Sequence, residues 1–194
     1  MIKKPLILAS TSPFRRRILE KLGVDFITAA PNCDETRLNG ESPSDMVQRL
    51  ALEKARSLQT EHNKALIIGS DQCAEIHGEV LGKPHDHVTA IKQLTRCSGE
   101  TVQFHTGLCL LNAASSEYQL EDVPFSVNFR TLTQQQIEAY LLAEKPYNCA
   151  GSFKSEGMGI ILFDSLKGDD PNALIGLPLI RLVSMLAKEG LSLP

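Results

Sequence analysis

Leu6-Ile7-Leu8-Ala9-Ser10-Thr11-Ser12-Pro13-Phe14-Arg15-Arg16-Arg17 is the stretch that sets the architecture. Its short apolar run reads as a buried strand, and the hydroxyl-rich turn behind it ends that strand. Ser12 then suits an N-cap, Pro13 a first helical position, and Gly23 a stop after Leu22. Three arginines fall in the first turn and a half of the helix, where the macrodipole is already positive and each cation costs roughly a few tenths of a kcal/mol. An anion in the same place would be held by free backbone N–H groups, the dipole and the guanidinium forks together. Arg15, closest to the turn, reads as a phosphate ligand, whereas Arg16 and Arg17 read as a solvated basic face.

Working outward, strand and helix alternate through the first half: strand 6–10, helix 13–22, strand 25–30, loop 31–41, helix 43–60, strand 65–71. A hairpin around His77-Gly78 follows, then helix 87–97. Two long strand-like segments at 101–112 and 118–130 flank an Asn/Ala/Ser-rich turn. Thr133 with Gln136 has the form of a capping box opening helix 134–143. A strand at 158–163 and a helix at 179–189, stopped by Gly190, complete the order. Alternation argues for parallel pairing and adjacent strands for antiparallel pairing, so the expected fold is α/β with a mixed sheet. No repeat, linker or low-complexity tract interrupts it, and residues 1–194 are expected to form a single domain, or two lobes sharing a sheet.

Composition narrows the function classes. Hydrophobic residues make up 42% and charged residues 22% of the chain, as in an ordinary soluble globular protein. A net charge of −3 offers no global attraction to a nucleic acid polymer or an anionic membrane, so any basic site must be local. No apolar run approaches the roughly 20 residues of a membrane span. Pro5 and the Ser-Thr-Ser turn cut the first apolar run too early for a signal peptide. Five widely spread cysteines without a Cys-x-x-Cys pair suit a reducing cytoplasm and buried thiols. His85 and His87, two apart around Asp86, have metal-ligand spacing, but a Pro-flanked helix start accounts for them.

The polar residues that do not fit their surroundings carry the chemistry. Ser42-Pro43-Ser44-Asp45 opens a helix whose apolar stripe runs Val47, Leu50, Ala51, Lys54, Ala55, Leu58. Lys54 lies inside that stripe, and a core-facing ammonium requires an anion at the core's edge or a path to water. Ala65-Leu66-Ile67-Ile68-Gly69-Ser70-Asp71-Gln72 has the continuous aliphatic run of a central parallel strand. Open α/β sheets place ligands at the carboxyl ends of such strands, and Asp71 is expected there as metal ligand or general base. Asp34-Glu35 follows a strand, Gly82-Lys83-Pro84 reads as a tight turn aiming one lysine, and Gly151–Gly159 reads as a flexible glycine-rich loop open to a ligand. Ser10, Arg15, Lys54 and Lys83 against Glu35 and Asp71 make a polyphosphate site with activated water. Hard oxygen ligands point to magnesium or manganese.

Ser-x-Ser-Pro-x-Arg at 10–15, Asp-Glu-Thr at 34–36, Leu-Ala-x-x-Lys-Ala at 50–55, Gly-Ser-Asp-Gln at 69–72 and Gly-Lys-Pro at 82–84 together resemble the Maf nucleotide pyrophosphatases. Gly-Ser-Phe-Lys-Ser-Glu-Gly at 151–157 is similar to the subgroup acting on N7-methyl-GTP. The resemblance spans essentially the whole chain. It implies a mostly parallel twisted sheet flanked by helices, two lobes with a central cleft, similar to inosine triphosphate pyrophosphatases. It implies divalent-metal-dependent hydrolysis of a nucleoside triphosphate between the α- and β-phosphates, giving a monophosphate and pyrophosphate. Asp71 would accept the proton; Ser10, Arg15, Lys54 and Lys83 would bind substrate; Glu35 and Asp71 would hold the metal. Phe14, Gln72 and Glu156 would select the base. Members favouring uridine or thymidine triphosphates tend to carry arginine where this chain has Phe14, and the methyl-GTP subgroup tends to carry tryptophan. An aromatic face attracts the cationic N7-methylguanine by about 0.5–2 kcal/mol, and Glu156 can accept from the guanine N1–H and N2–H donors. Two alternatives stay open: the same chemistry on canonical pyrimidine or other modified nucleotides, and a non-catalytic nucleotide-sensing partner in septum formation. A homodimer is equally open.

Overall fold

A computed structural model describes residues 4–193. Its elements are β1 (Leu6–Ala9), α1 (Pro13–Glu20), β2 (Ile27–Ala29), α2 (Pro43–Ser57), β3 (Leu66–Ile76), β4 (Glu79–Leu81), α3 (His87–Cys97), β5 (Thr101–Asn112), β6 (Tyr118–Phe129), α4 (Gln134–Glu144), β7 (Phe163–Lys167) and α5 (Leu179–Lys188). Short 3-10 turns occupy Ala150–Ser152, Met158–Leu162 and Ala173–Ile175. The chain gathers into two compact units. The first comprises the chain through Gln72, Thr106–Val123 and the chain from Asp170 onward, and the second comprises Cys73–His105 and Pro124–Asp169.

In the first unit the strand order is β2-β1-β3-β5-β6. β1 runs parallel to both neighbours, pairing Ile7 with Ile27 and Leu8 with Ile68, and its last partner on β3 is Gly69 opposite Ala9. A parallel sheet's inner strands must be covered on both faces, which is why β1 and the Leu66–Ile68 run of β3 are aliphatic and buried while β2 at the edge is largely exposed. Their period-2 alternation divides the core in two. Leu6, Leu8, Leu66 and Ile68 pack with Ile18 and Leu19 of α1 and Leu182, Met185 and Leu186 of α5. Ile7, Ile67, Cys109 and Leu111 pack with Ala51, Ala55 and Leu58 of the α2 side. α2 lies very close to its sheet face: a Cβ on Gly69 would sit 2.0 Å from the Ala51 carbonyl oxygen, and one on Gly107 2.1 Å from that of Val47.

In the second unit β4 pairs antiparallel with the end of β3, and β7 antiparallel with the end of β6. Phe104, Phe129, Phe153 and Phe163 form an edge-to-face cluster with ring centroids 5.0 to 5.4 Å apart. That geometry suits the aromatic quadrupoles. β5 and β6 form an antiparallel hairpin, closed at one end by Asn112 N–H donating to Glu117 O and at the other by Phe129 N–H donating to Glu100 O. The expected mixed sheet is therefore present, as are the Ser12, Ser42 and Thr133 caps, the last with both capping-box bonds to Gln136.

Three local expectations are corrected. β3 does not end at 71 but continues to Ile76, because Cys73, Ala74 and Ile76 are buried and Ala74 pairs with Leu81 of β4. The segment expected as a strand at 158–163 is a 3-10 turn, with β7 starting only at Phe163. The chain folds back there: Gly159 N–H donates to the Lys154 carbonyl, which a Cβ at 159 would approach to 2.2 Å. Gly82-Lys83-Pro84 is an irregular connection between β4 and α3 and makes no tight turn. The cysteines are free thiols, with Cys73, Cys97 and Cys109 buried, and burial pushes the last two up to about 12. Among the described residues no helix is long and apolar enough to cross a membrane.

Candidate active site

β1 stops at Ala9 while β3 runs on, so Asp71 stands within β3, two residues past the last β1–β3 pair. It lies at the carboxyl end of the parallel ladder although not at the end of its own strand. Lys54 comes from the buried face of α2, one turn beyond Ala51. Its Nζ lies 2.5 Å from Asp71 Oδ1 and 2.7 Å from Glu35 Oε1. Lys54 is 4% exposed and Asp71 9%, so the ammonium that broke the apolar stripe is compensated by two carboxylates. Glu35 reaches in from an exposed loop, its side chain still 62% exposed.

That loop is tied to α2. Arg49 donates to both oxygens of Glu41, at 2.6 and 2.9 Å, to Glu53 and to the Thr36 carbonyl. The bidentate hydrogen bonds hold the Glu41 carboxyl at about 2, well below its usual 4.5, and raise the guanidinium in turn. Asp34 turns inward on its own loop, accepting from Thr36 N–H. Arg49 and Glu41 escape sequence reading because they are eight residues apart and look like solvated charges.

Arg15 sits where the N-cap puts it. Ser12 Oγ accepts from Arg15 N–H, and Ser10 Oγ accepts from Ser12 N–H. The Arg15 guanidinium is pulled below its ordinary value by burial, against which the charges of Asp71 and Glu35 act. Arg16 is exposed and pairs with Glu20 at 3.1 Å, and Arg17 is exposed. Phe14 is half-buried, and among the described residues it is not one of those packed into the aliphatic core with Ile18.

The 170–176 segment, to which the sequence reading gave no role, lines the other side of Arg15. Arg15 Nε donates to the Gly176 carbonyl at 2.8 Å, and Ser70 Oγ donates to the same oxygen at 2.9 Å. Gln72 Nε2 donates to the carbonyls of Ala173 and Leu174 and to Thr106 Oγ1. Asp170, 1% exposed, accepts from Asn172 and from Ile180 N–H. The available signal was Thr106, a fully buried hydroxyl at the head of the apolar run Leu108–Leu111.

Ser10, Phe14, Arg15, Glu35, Lys54, Asp71 and Gln72 thus belong to the first unit, and Lys83 and Glu156 to the second. Lys83 is exposed, just before Asp86, which caps α3 by accepting from Thr89 N–H. His87 opens α3 and bonds Tyr147 Oη at 2.9 Å and Glu138 at 2.8 Å, so the histidine pair does mark a helix start. Glu156 is exposed, 3.4 Å from Ser155 Oγ. The 151–159 segment is not a flexible loop: Phe153 is buried in the aromatic cluster, and Lys154 pairs with Glu144 at 3.0 Å while Glu144 also accepts from Met158 N–H.

Among the described residues no three His, Cys, Asp or Glu side chains form a group able to enclose a metal ion. Glu35 and Asp71, brought together by the Lys54 ammonium, are nevertheless two hard-oxygen donors. Magnesium is characteristically held by one or two carboxylates plus substrate phosphates, so this donor set fits such an ion.

The model of the Maf-like protein family matches residues 5–189. The chain belongs to the Maf family. A Maf relative from Alcanivorax borkumensis, named 7-methyl-GTP pyrophosphatase, is 58% identical over 189 residues, covering 97% of this chain and 96% of its own. Another of that name, from Colwellia psychrerythraea, is 54% identical, covering 97% and 94%. Among solved structures a HAM1 protein from Coxiella burnetii matches with a TM-score of 0.52 at 12% identity, over 96% of this chain and 100% of its own, a likeness of fold alone.

Proposed function

We propose that this Maf protein hydrolyses N7-methyl-GTP to the nucleoside monophosphate and pyrophosphate. The observation that carries the reading is the buried Lys54 ammonium bridging Asp71 and Glu35 beside Arg15. Replacing a buried ion pair by apolar groups is often neutral or stabilising, so the buried Lys54–Asp71 pair is better explained by a triphosphate to be bound than by a need of the fold. The names of the Alcanivorax and Colwellia relatives support the choice of nucleotide.

Water attacks the α-phosphorus in line, and Asp71 takes its proton. Lys54 holds Oδ1 of that carboxylate, which fixes the base relative to α2. Arg15, Lys54 and Ser10 bind the triphosphate and stabilise charge on the leaving pyrophosphate. A magnesium or manganese ion held by Glu35 and Asp71 would supply Lewis-acid neutralisation of the phosphate oxygens. Phe14 offers its ring to the cationic base. Gln72 donates its amide N–H groups to Ala173, Leu174 and Thr106, so its amide oxygen would be the atom that reads the donors of the base.

The experiment is pyrophosphate release from N7-methyl-GTP, GTP, UTP and dTTP, with and without a chelator. Highest kcat/KM on N7-methyl-GTP, lost on chelation and restored by magnesium or manganese, is the expected result. Preference for a pyrimidine nucleotide overturns the substrate, full turnover after chelation overturns the metal, and no release from any nucleotide overturns the activity.

A further inference from the structure

No residue of the 32–41 loop is buried, so packing does not hold it in place. Fixing the backbone of one residue costs roughly 1–2 kcal/mol of entropy, which specific polar bonds must offset here. Two pins supply them, and both stand on α2. Asn32 N–H donates to Ser57 Oγ at 3.2 Å, and that hydroxyl donates on to the Lys54 carbonyl at 2.9 Å. At the other end Arg49 donates to both Glu41 carboxylate oxygens and, through Nη2, to the Thr36 carbonyl at 3.2 Å. Glu53, one turn along α2, accepts from the same guanidinium at 3.2 Å. The Glu41 end is closed on itself, since Arg37 donates twice to the Glu41 carbonyl and Leu38 N–H to Glu41 Oε2.

The pins flank Lys54 on its own helix, five residues before it and three after it. Glu35 lies inside the pinned stretch, next to Thr36, with Oε1 2.7 Å from Lys54 Nζ. Its side chain is 62% exposed, so water competes for the carboxylate and the ion pair alone holds it weakly. We infer that Arg49 and Ser57 are positioning residues, which strap the 32–41 loop across α2 and so keep the Glu35 carboxylate at Lys54 beside Asp71. The inference rests on the triphosphate reading above and deepens it: one helix sets both the ammonium and the second carboxylate of the site. A planar guanidinium suits the task, because a single side chain can take a carboxylate through two N–H groups and still reach a backbone carbonyl.

Cys33 stands between the pins, half-buried, and reports on the strap without any turnover. The test therefore has two arms, applied to wild type, Arg49→Met, Ser57→Ala, Glu35→Gln and Arg49→Met/Glu35→Gln. The first is the rate of iodoacetamide alkylation at Cys33, mapped by mass spectrometry, with the half-buried Cys149 of the other unit as internal reference. The second is calorimetric binding of the manganese–tripolyphosphate complex. Arg49→Met is expected to speed Cys33 alkylation by about tenfold, since a strapped thiol reacts through locally opened states, and to leave Cys149 unchanged. It is expected to weaken the complex by about tenfold, the low end of what loss of a supporting contact costs a metal site. Ser57→Ala gives smaller changes in the same directions. In the Glu35→Gln background Arg49→Met weakens the complex by no more than about twofold further, because it acts through a group already removed. Three results overturn the strap: an unchanged Cys33 rate, an unchanged affinity in spite of a faster Cys33, or losses that multiply with Glu35→Gln. Should Arg49→Met fail to fold, Ser57→Ala in the same cycle decides. Neither arm requires a nucleotide to be hydrolysed, so failure of the strap and failure of the proposed activity are told apart.

Discussion

Replacing Lys54 by Met keeps the length and bulk of the side chain and removes its charge. The ammonium lies 2.5 Å from Asp71 Oδ1, where an effective dielectric of about 20 gives an attraction of roughly 6–7 kcal/mol before desolvation. Removing one partner of a buried pair typically costs about 3–5 kcal/mol, because the other charge is left behind. Two features place this case at the low end. Glu35 is 62% exposed and can return to water, and the Arg15 guanidinium still acts on both carboxylates. The expected loss is about 3 kcal/mol, which for a chain of this size lowers Tm by roughly 6–12 °C. Calorimetry at pH 7 measures it. The double variant Lys54→Met/Asp71→Leu replaces both charges by apolar groups and should recover most of that loss while remaining inactive. An unchanged Tm in Lys54→Met, or a double variant as unstable as the two single losses combined, refutes the reasoning.

Asp71→Asn keeps volume but cannot take a proton, and kcat should fall about 100-fold or more with substrate still bound; near-normal turnover would move water activation to another group. Glu41→Gln should remove a pH-dependent contribution to stability. The Glu41 carboxyl is depressed from 4.5 to about 2, so its contribution is fully present above pH 4.5 and disappears as pH falls toward 2. The Tm gap between wild type and Glu41→Gln should therefore shrink from pH 6 to pH 3, and a constant gap would show that Arg49 does not stabilise the charged form. Phe14→Arg and Glu156→Gln should reduce preference for N7-methyl-GTP over GTP and UTP, the second by about 1–3 kcal/mol; unchanged ratios in both would leave base selection elsewhere.

Much of this site was legible because local rules and global need disagree at its residues. Lys54 breaks an apolar stripe, Asp71 ends an aliphatic run, and Arg15 stands where a cation is disfavoured, so each demanded a partner. The caps and the aliphatic strands were legible for the opposite reason, since there local propensity and burial agree. What remained hidden depends on contacts between distant parts of the chain. Arg49 and Glu41 are surface charges until the 34–41 loop folds over α2. Gly176 acts through a carbonyl, which every residue possesses. The 151–159 glycines suggested openness, but they let the chain approach its own Lys154 carbonyl and Glu144 carboxylate.

The contact of α2 with Gly69 and Gly107 makes the helix-to-sheet gap a matter of backbone atoms touching backbone atoms. Elsewhere in a core that gap is set by side chains, and it drifts whenever valine replaces isoleucine or leucine replaces methionine. Here it cannot drift, because no side chain intervenes. Lys54 follows Ala51 by one turn and Asp71 follows Gly69 by two residues, so the reach from ammonium to carboxylate is gauged at the point of contact. Adding a single methyl at 69 would demand at least 1 Å of outward movement by the Ala51 carbonyl, from 2.0 Å to the 3.0 Å that real contacts respect. The two glycines act as the calibration of the site, although neither touches a charge.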